Sequence, residues 1–274
     1  MIYFHLGLPK VASTFLQLNI FPYFKGLEFN GKHRFEEFRN YEPSEESGDT
    51  LFSSEFDRGL EDVVDAAVER FPEAKFFLMV RRHDKWLVSR YKYYIRKHGH
   101  KSFEEFIDLD NNRGEWKLEE LMWSKKLQYI LEKSNNDCLF LRQKDLRKYP
   151  DFFYQKLSEF LGHELSPKAK KNKVVNKSFK TKQLLVLRRF NRAYRYEELR
   201  TNSRFVNRLH YRYRQYLLHI IAFFAQFLPS FMIPNEPFIE DETILDRVME
   251  YYRDDWNACL KLVKQTAGSL DGKV

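Results

Sequence analysis

The chain has 274 residues, 43% of them apolar, which is enough for a sizeable core in one domain or two and excludes a disordered chain. Its 47 basic against 39 acidic residues leave a charge of +8, which suits a polyanionic partner: a nucleotide, an acidic glycan, nucleic acid or a lipid surface. Cys138 and Cys259 are too few and too far apart for a disulfide framework or a Cys-based zinc site, which points to a reducing compartment. The 16 Tyr and 26 Phe serve either an aromatic-rich core, the simpler use, or flat surfaces that meet rings.

Ile2 to Leu6 is a β-branched and aromatic run that enters a Gly/Pro turn and then the helix-compatible stretch Thr14 to Leu18. Nothing in it has the basic region, long apolar stretch or cleavage site of a signal peptide or anchor, so a cytoplasmic protein is expected. Gly26 to Phe29 and Leu51 to Ser53 read as short strands, and Asp62 to Arg70 as a helix. Lys75 to Val80 is a strand followed by a helix from Asp84 to Lys97. Cys138 to Leu141 is a further strand, and Phe152 to Leu161 a helix stopped by Gly162, a residue suited to a left-handed cap. Strands alternating with helices predict a P-loop-like α/β core, a parallel sheet flanked by helices.

Past about Asn172 the strand signals vanish, and helical segments run from Lys182 to about Leu228 and from Glu242 to Val263. The expected division is a nucleotide-binding core over 1–180 and a helical C-terminal extension over 181–274, packed on the core on the acceptor side. Leu217 to Pro234 is the most apolar stretch, but His219, Gln226 and Pro229 interrupt it and it falls short of about 20 clean residues, so it reads as a buried helix, or else as a surface resting on a membrane. Nine arginines between Arg188 and Arg214, mostly three to five apart, give a broad basic helical face that is either solvated or turned to an acidic acceptor.

The chemistry concentrates in His5-Leu6-Gly7-Leu8-Pro9-Lys10-Val11-Ala12-Ser13-Thr14-Phe15-Leu16-Gln17. A loop turning from strand to helix aims free backbone N–H groups and the positive end of the helix dipole at one point, which makes a phosphate seat. Lys10 adds a mobile charge, and Ser13 and Thr14 add hydroxyls. The Walker pattern is absent, since the lysine precedes the small residue and no Asp closes the Lys75 to Val80 strand where a nucleoside triphosphatase would hold magnesium.

This loop resembles the 5′-phosphosulfate loop of sulfotransferases, commonly written Pro-Lys-x-Gly-Thr-Thr-x-Leu, in the version found in bacterial carbohydrate sulfotransferases; Ala12 stands where the usual Gly would be. Val80-Arg81-Arg82-His83-Asp84-Lys85-Trp86-Leu87-Val88-Ser89-Arg90-Tyr91 resembles the family's Arg-x-Pro-x-x-Arg-x-x-Ser-x-Tyr element, with His83 in place of the Pro and Trp86 in place of the second Arg. Leu139 to Leu146 followed by Phe160-Leu161-Gly162 resembles the family's later strand and Phe-Leu-Gly helix end. Asn176-Lys177-Ser178 is similar to its nucleotide-closing loop.

The resemblance implies 3′-phosphoadenosine 5′-phosphosulfate as donor and no metal. It places the 5′-phosphate against Gly7, Pro9, Lys10, Val11, Ala12, Ser13, Thr14 and Phe15, the 3′-phosphate against Arg81 and Ser89, and the closing loop at Asn176 and Ser178. Lys10 is expected to stabilise the bridging and leaving oxygens. Glu55, in a Ser-Ser-Glu segment like that of bacterial relatives, is the expected base, or else belongs to an ordinary helix N-terminal turn; His33 and His5 are weaker bases. A carbohydrate or glycolipid hydroxyl is the expected acceptor, with peripheral membrane contact as a further partner and nucleic acid less favoured. Two other readings stay open: a P-loop kinase acting on a small metabolite, and a non-catalytic protein that binds anionic polymers through its arginine-rich helices.

Overall fold

All six residues of Ile2–Gly7 are buried, as a continuous apolar run must be when both faces of a strand are covered. This strand, β1, lies at the centre of a sheet completed by β2 (Leu27–Asn30), β3 (Asp49–Glu55), β4 (Lys75–Val80) and β5 (Cys138–Arg142). Every pairing is parallel, and the five strands run in the order β2-β3-β1-β4-β5. The structure is a computed structural model that describes residues 1–44, 48–56, 58–135, 137–170, 179–196, 201–233, 236–241 and 243–268.

The helices in chain order are α1 (Ser13–Asn19), α2 (Leu60–Arg70), α3 (His83–Arg96), α4 (Phe103–Ile107), α5 (Trp123–Lys133), α6 (Gln143–Lys148), α7 (Pro150–Leu161), α8 (Thr181–Ala193), α9 (Arg204–Ala225), α10 (Thr243–Tyr251) and α11 (Arg253–Ala267). The α/β architecture and the strand-then-helix alternation agree with the sequence. Gly162 caps α7 with φ 68, the left-handed conformation that a residue without Cβ adopts at least cost.

The chain forms two compact units, one from the described residues of Met1–His83, Met122–Val175 and Tyr251–Val274, the other from those of Asp84–Leu121 and Asn176–Glu250. The first holds the whole sheet. Phe4 on β1 stacks on its register partners Phe52 of β3 and Phe76 of β4, with centroids 5.5 and 5.6 Å apart, so three rings on neighbouring strands tile one face. On the opposite face His5 lies between its own register partners, Ser53 and Phe77. The phenylalanines thus go largely into the core, and both cysteines are free and buried.

Two details of this unit escape a linear reading. Met122, which precedes α5, has no side-chain cap to offer. Asp255 of α11 supplies one from a distance, accepting from the Trp123 and Ser124 amides, both at 3.0 Å, and from the Ser124 hydroxyl. Its carboxylate also meets His83 Nε2 at 3.1 Å, and the His83 ring stacks between Trp123 and Tyr252. Burial, the largest single effect, would raise the Asp255 carboxyl, but the bonds from His83 and Ser124 together outweigh it and hold the group below its ordinary pKa. Tyr252, lying flat on the His83 ring, lies between α10 and α11 with φ −99 and ψ 14, so the stretch expected to be helical from Glu242 to Val263 forms two helices.

In the second unit the helix expected from Lys182 to about Leu228 is likewise two, α8 and α9. The guanidinium of Arg188 on α8 is fully buried, where it donates to the Tyr91 hydroxyl, the carbonyls of Pro237 and Phe238 and the Glu240 carboxylate. One of the nine arginines expected on a basic face therefore serves as a core cross-link.

Burial pushes the His5 imidazole down to about 3, so in the folded chain it stays neutral where an unfolded histidine would protonate, near 6.5. The unfolded state then binds one more proton, and the stability present above pH 6.5 drains away as pH falls toward 3, at about 1.4 kcal/mol per pH unit from this residue. Urea unfolding of the wild type and His5→Asn between pH 6.5 and 4.5 should show a shallower loss for the variant. Parallel slopes would place the titration elsewhere.

Candidate active site

In this strand order the connection leaving β1 goes toward β2 and the one leaving β3 goes the other way, toward β4. The carboxyl ends of β1 and β3 therefore flank a topological switch point, where diverging connections leave a crevice in an open α/β sheet. Their last residues, Gly7 and Glu55, are register partners. The Phe56 amide donates to the Gly7 carbonyl at 2.8 Å, which extends the pairing one step past the strand ends.

From Gly7 the chain turns sharply. A Cβ built on Gly7 would lie 2.5 Å from Ser13 Oγ and 3.0 Å from the Ser54 carbonyl, so the return of the loop over its own strand requires glycine. Leu8 and Val11 are buried and peg the loop to the core. Ser13, also buried, donates its hydroxyl to the Leu8 carbonyl at 3.1 Å and closes the turn from within.

Between these pegs the backbone alternates in hand. Lys10 has φ 65 and Ala12 φ 78, while Val11 between them keeps a negative φ and Ser13 starts α1. Alternating left- and right-handed residues turn successive N–H groups to one concave side, the arrangement known as an anion-binding nest. Two side-chain-bearing residues in the left-handed region cost about 1 kcal/mol or more each, and such strain concentrates at functional sites. Ala12 thus adopts a left-handed conformation that glycine would adopt at less cost; its methyl changes the energy of the turn without abolishing the turn.

Charged and polar side chains close around the nest. Arg81, just past the end of β4, donates from Nη1 to the Lys10 carbonyl at 2.9 Å and braces the left-handed residue from the neighbouring strand. Thr14, half-buried in the first turn of α1, donates to Glu55 Oε1 at 2.6 Å, within the range of a charge-assisted bond. Glu55 is the last residue of β3, not part of a helix turn. Beneath the loop, Gln17 Nε2 donates to the Ser53 hydroxyl at 3.0 Å, and the same hydroxyl shares a hydrogen bond of 2.7 Å with His5 Nδ1, its direction set by the tautomer of the ring. His5 Nε2 finds no partner among the described residues. Buried and low in pKa, His5 is a brace under the loop.

Gly7, Pro9 to Phe15, Glu55 and Arg81 thus gather in one place within the first unit. Ser89 lies on α3 in the second unit, half-buried. Asn176 and Ser178 lie outside the described residues, and His33 is exposed on a 3₁₀ stretch spanning Lys32–Asn40. Among the described residues no group of three or more His, Cys, Asp or Glu side chains is arranged to hold a metal ion. The bond from Thr14 to Glu55 and the brace from Arg81 to Lys10 went unforeseen in the sequence. The first had a signal in the Ser-Ser-Glu segment at a strand end; the second had none, because it ends on a backbone carbonyl.

No protein-family profile matches the chain, and no curated protein does. Among solved structures, a sulfotransferase from Alicyclobacillus acidocaldarius is 13% identical, covers 70% of this chain and 92% of its own, and superposes with a TM-score of 0.50. The mouse sulfotransferase SULT7A1, complexed with PAP, is 16% identical over 60% of this chain and 59% of its own, with a TM-score of 0.45. At such identity the likeness to the bacterial structure is one of fold: the α/β fold of this chain is shared with a sulfotransferase.

The strain at Ala12 is directly measurable. Ala12→Gly should raise the unfolding free energy by about 0.5–1 kcal/mol and Ala12→Val should lower it by at least as much, because a β-branched residue tolerates positive φ worst. A destabilised Ala12→Gly protein in chemical denaturation would mean that the turn is not held in the left-handed region.

Proposed function

We propose that this chain is a sulfotransferase that moves a sulfuryl group from 3′-phosphoadenosine 5′-phosphosulfate to a hydroxyl, that of a carbohydrate or a glycolipid. The observation that carries the reading is the nest at Lys10 to Ser13, placed at the switch point with the Glu55 carboxylate one strand away and bonded to Thr14. The residues present fit the donor. Gly7 lets the loop fold back over the end of its strand, the loop amides provide donors for a phosphate, and Lys10 and Arg81 provide charge beside it.

When bound, the donor supplies an activated S–O bond whose cleavage leaves negative charge on a phosphate oxygen. Everything else falls to the chain. The loop amides, that of Thr14 among them, hold the 5′-phosphate, and Lys10, on a flexible four-carbon stem, follows the charge as it develops on the leaving oxygen. Glu55 takes the proton of the acceptor hydroxyl as its oxygen bonds to sulfur. The one proton of the Thr14 hydroxyl serves Glu55: by donating to Oε1 it orients the carboxylate and leaves Oε2 to receive the acceptor's proton. Arg81 has five N–H donors, so one can brace the Lys10 carbonyl while others meet the 3′-phosphate. The carbohydrate assignment rests on the resemblance of the loop and the Ser-Ser-Glu segment to bacterial carbohydrate enzymes and on the basic, aromatic C-terminal half.

The test is transfer of label from radiolabelled donor to a panel of sugars and lipid-linked sugars. Lys10→Ala should lower turnover about 100-fold or more, and Glu55→Gln should do the same with donor affinity kept. Near-normal turnover in Glu55→Gln would remove Glu55 as the base. Absence of transfer from the wild type to any member, with no slow release of the adenosine bisphosphate, would overturn the reading.

A further inference from the structure

Helix α9 has two apolar faces, and only one of them is covered. Leu218, Ala222 and Ala225 are buried on the side that packs against α8, where Gln183 also donates to the Ala222 carbonyl. At 3.6 residues per turn, Phe205, Leu209, Tyr216, Ile220, Phe223 and Phe227 fall along the opposite side and its continuation, spaced by three, four or seven residues. All are exposed, Tyr216 and Phe227 at 68% and Phe205 at 74%, and Phe231 just beyond reaches 86%. A stripe of this length on a soluble chain marks an interaction surface.

Its chemistry is set by what runs beside it. Arg204 and Arg208 each precede a stripe residue by one position and Arg212 continues their spacing of four, so the three form a row along one edge. All three are exposed, and none pairs with a carboxylate of any described residue. From Thr201 to Ile233 the chain carries no Asp or Glu at all. A second copy of the same face would bring more positive charge and no countercharge. A lipid surface offers both complements at once, acyl chains for the rings and phosphates for the guanidinium groups. Spanning is not the mode, because no helix among the described residues is long and apolar enough to cross a membrane.

We infer that α9 is an interfacial helix that seats the protein on an anionic phospholipid membrane, with the Phe205 to Phe227 stripe in the headgroup and acyl boundary and the Arg204, Arg208, Arg212 row on lipid phosphates. The inference stands on α9 alone and is independent of which group the enzyme transfers.

Co-sedimentation with extruded vesicles tests it, comparing phosphatidylcholine alone with about two parts phosphatidylcholine to one of phosphatidylglycerol. The wild type should bind the mixed vesicles at low salt and release with added salt. Phe223→Ser with Phe227→Ser, and separately Arg208→Glu with Arg212→Glu, should each weaken that binding about tenfold or more while circular dichroism stays unchanged, since all four side chains are exposed. Failure of the wild type to bind mixed vesicles, or equal binding by either variant, overturns the inference. So does a dimer in sedimentation velocity that the Phe variant dissolves without any vesicle binding, or binding to duplex DNA in place of vesicles.

Discussion

The space above Gly7 governs the first unit. With no Cβ there, Ser13 can fold back over the end of β1, its hydroxyl can reach the Leu8 carbonyl, and the chain between them must turn twice through the left-handed region at Lys10 and Ala12. That compressed turn produces the concave row of amides and starts α1 at a fixed angle. It also sets Thr14 where it meets Glu55. The strain is offset from two sides: by Arg81 on the Lys10 carbonyl, and by the buried side chains of Leu8 and Val11 beneath. Under it the Gln17, Ser53 and His5 bonds tie α1 to β3 and β1, so the loop rests on three elements of the sheet layer.

Much of this was legible in the sequence because its signals are local. The apolar run Ile2 to Leu6 could only be a covered strand, Gly7 and Pro9 could only punctuate it, and Gly162 could only stop a helix; each sits where expected. The parallel sheet followed from alternation alone. Lys10 to Thr14 read as a phosphate loop from residue types, and the backbone there has the alternating hand such a loop needs. Ala12, which stands where similar loops carry glycine, is one of the two residues of the turn held at positive φ.

What stayed hidden depends on partners far apart in sequence. Nothing around Asp255 announces that it caps a helix more than a hundred residues earlier, and nothing around His83 announces that its ring fills the gap between Trp123 and Tyr252. Tyr252, stacked on that ring, separates α10 from α11 within a stretch that reads as helical from Glu242 to Val263. Arg188 belonged to a basic row by spacing and to a buried network by packing, and spacing could not reveal the Glu240 carboxylate and the carbonyls that satisfy it. Strand β3 proved longer than its apolar part: Ser53 and Ser54, polar by type, are buried, and Ser53 is bonded to Gln17 and His5 beneath the loop.

The nest and its flanking charges are proposed as a seat for a nucleotide phosphorylated at both the 3′ and 5′ positions. Calorimetric titration with adenosine 3′,5′-bisphosphate and with adenosine 5′-monophosphate, in EDTA, asks this without needing the acceptor. The bisphosphate should bind at least about tenfold tighter than the monophosphate, the difference being charge-assisted bonds to the 3′-phosphate. Equal affinity for the two, or no binding of either, would contradict the proposal and leave the strained loop without its proposed ligand.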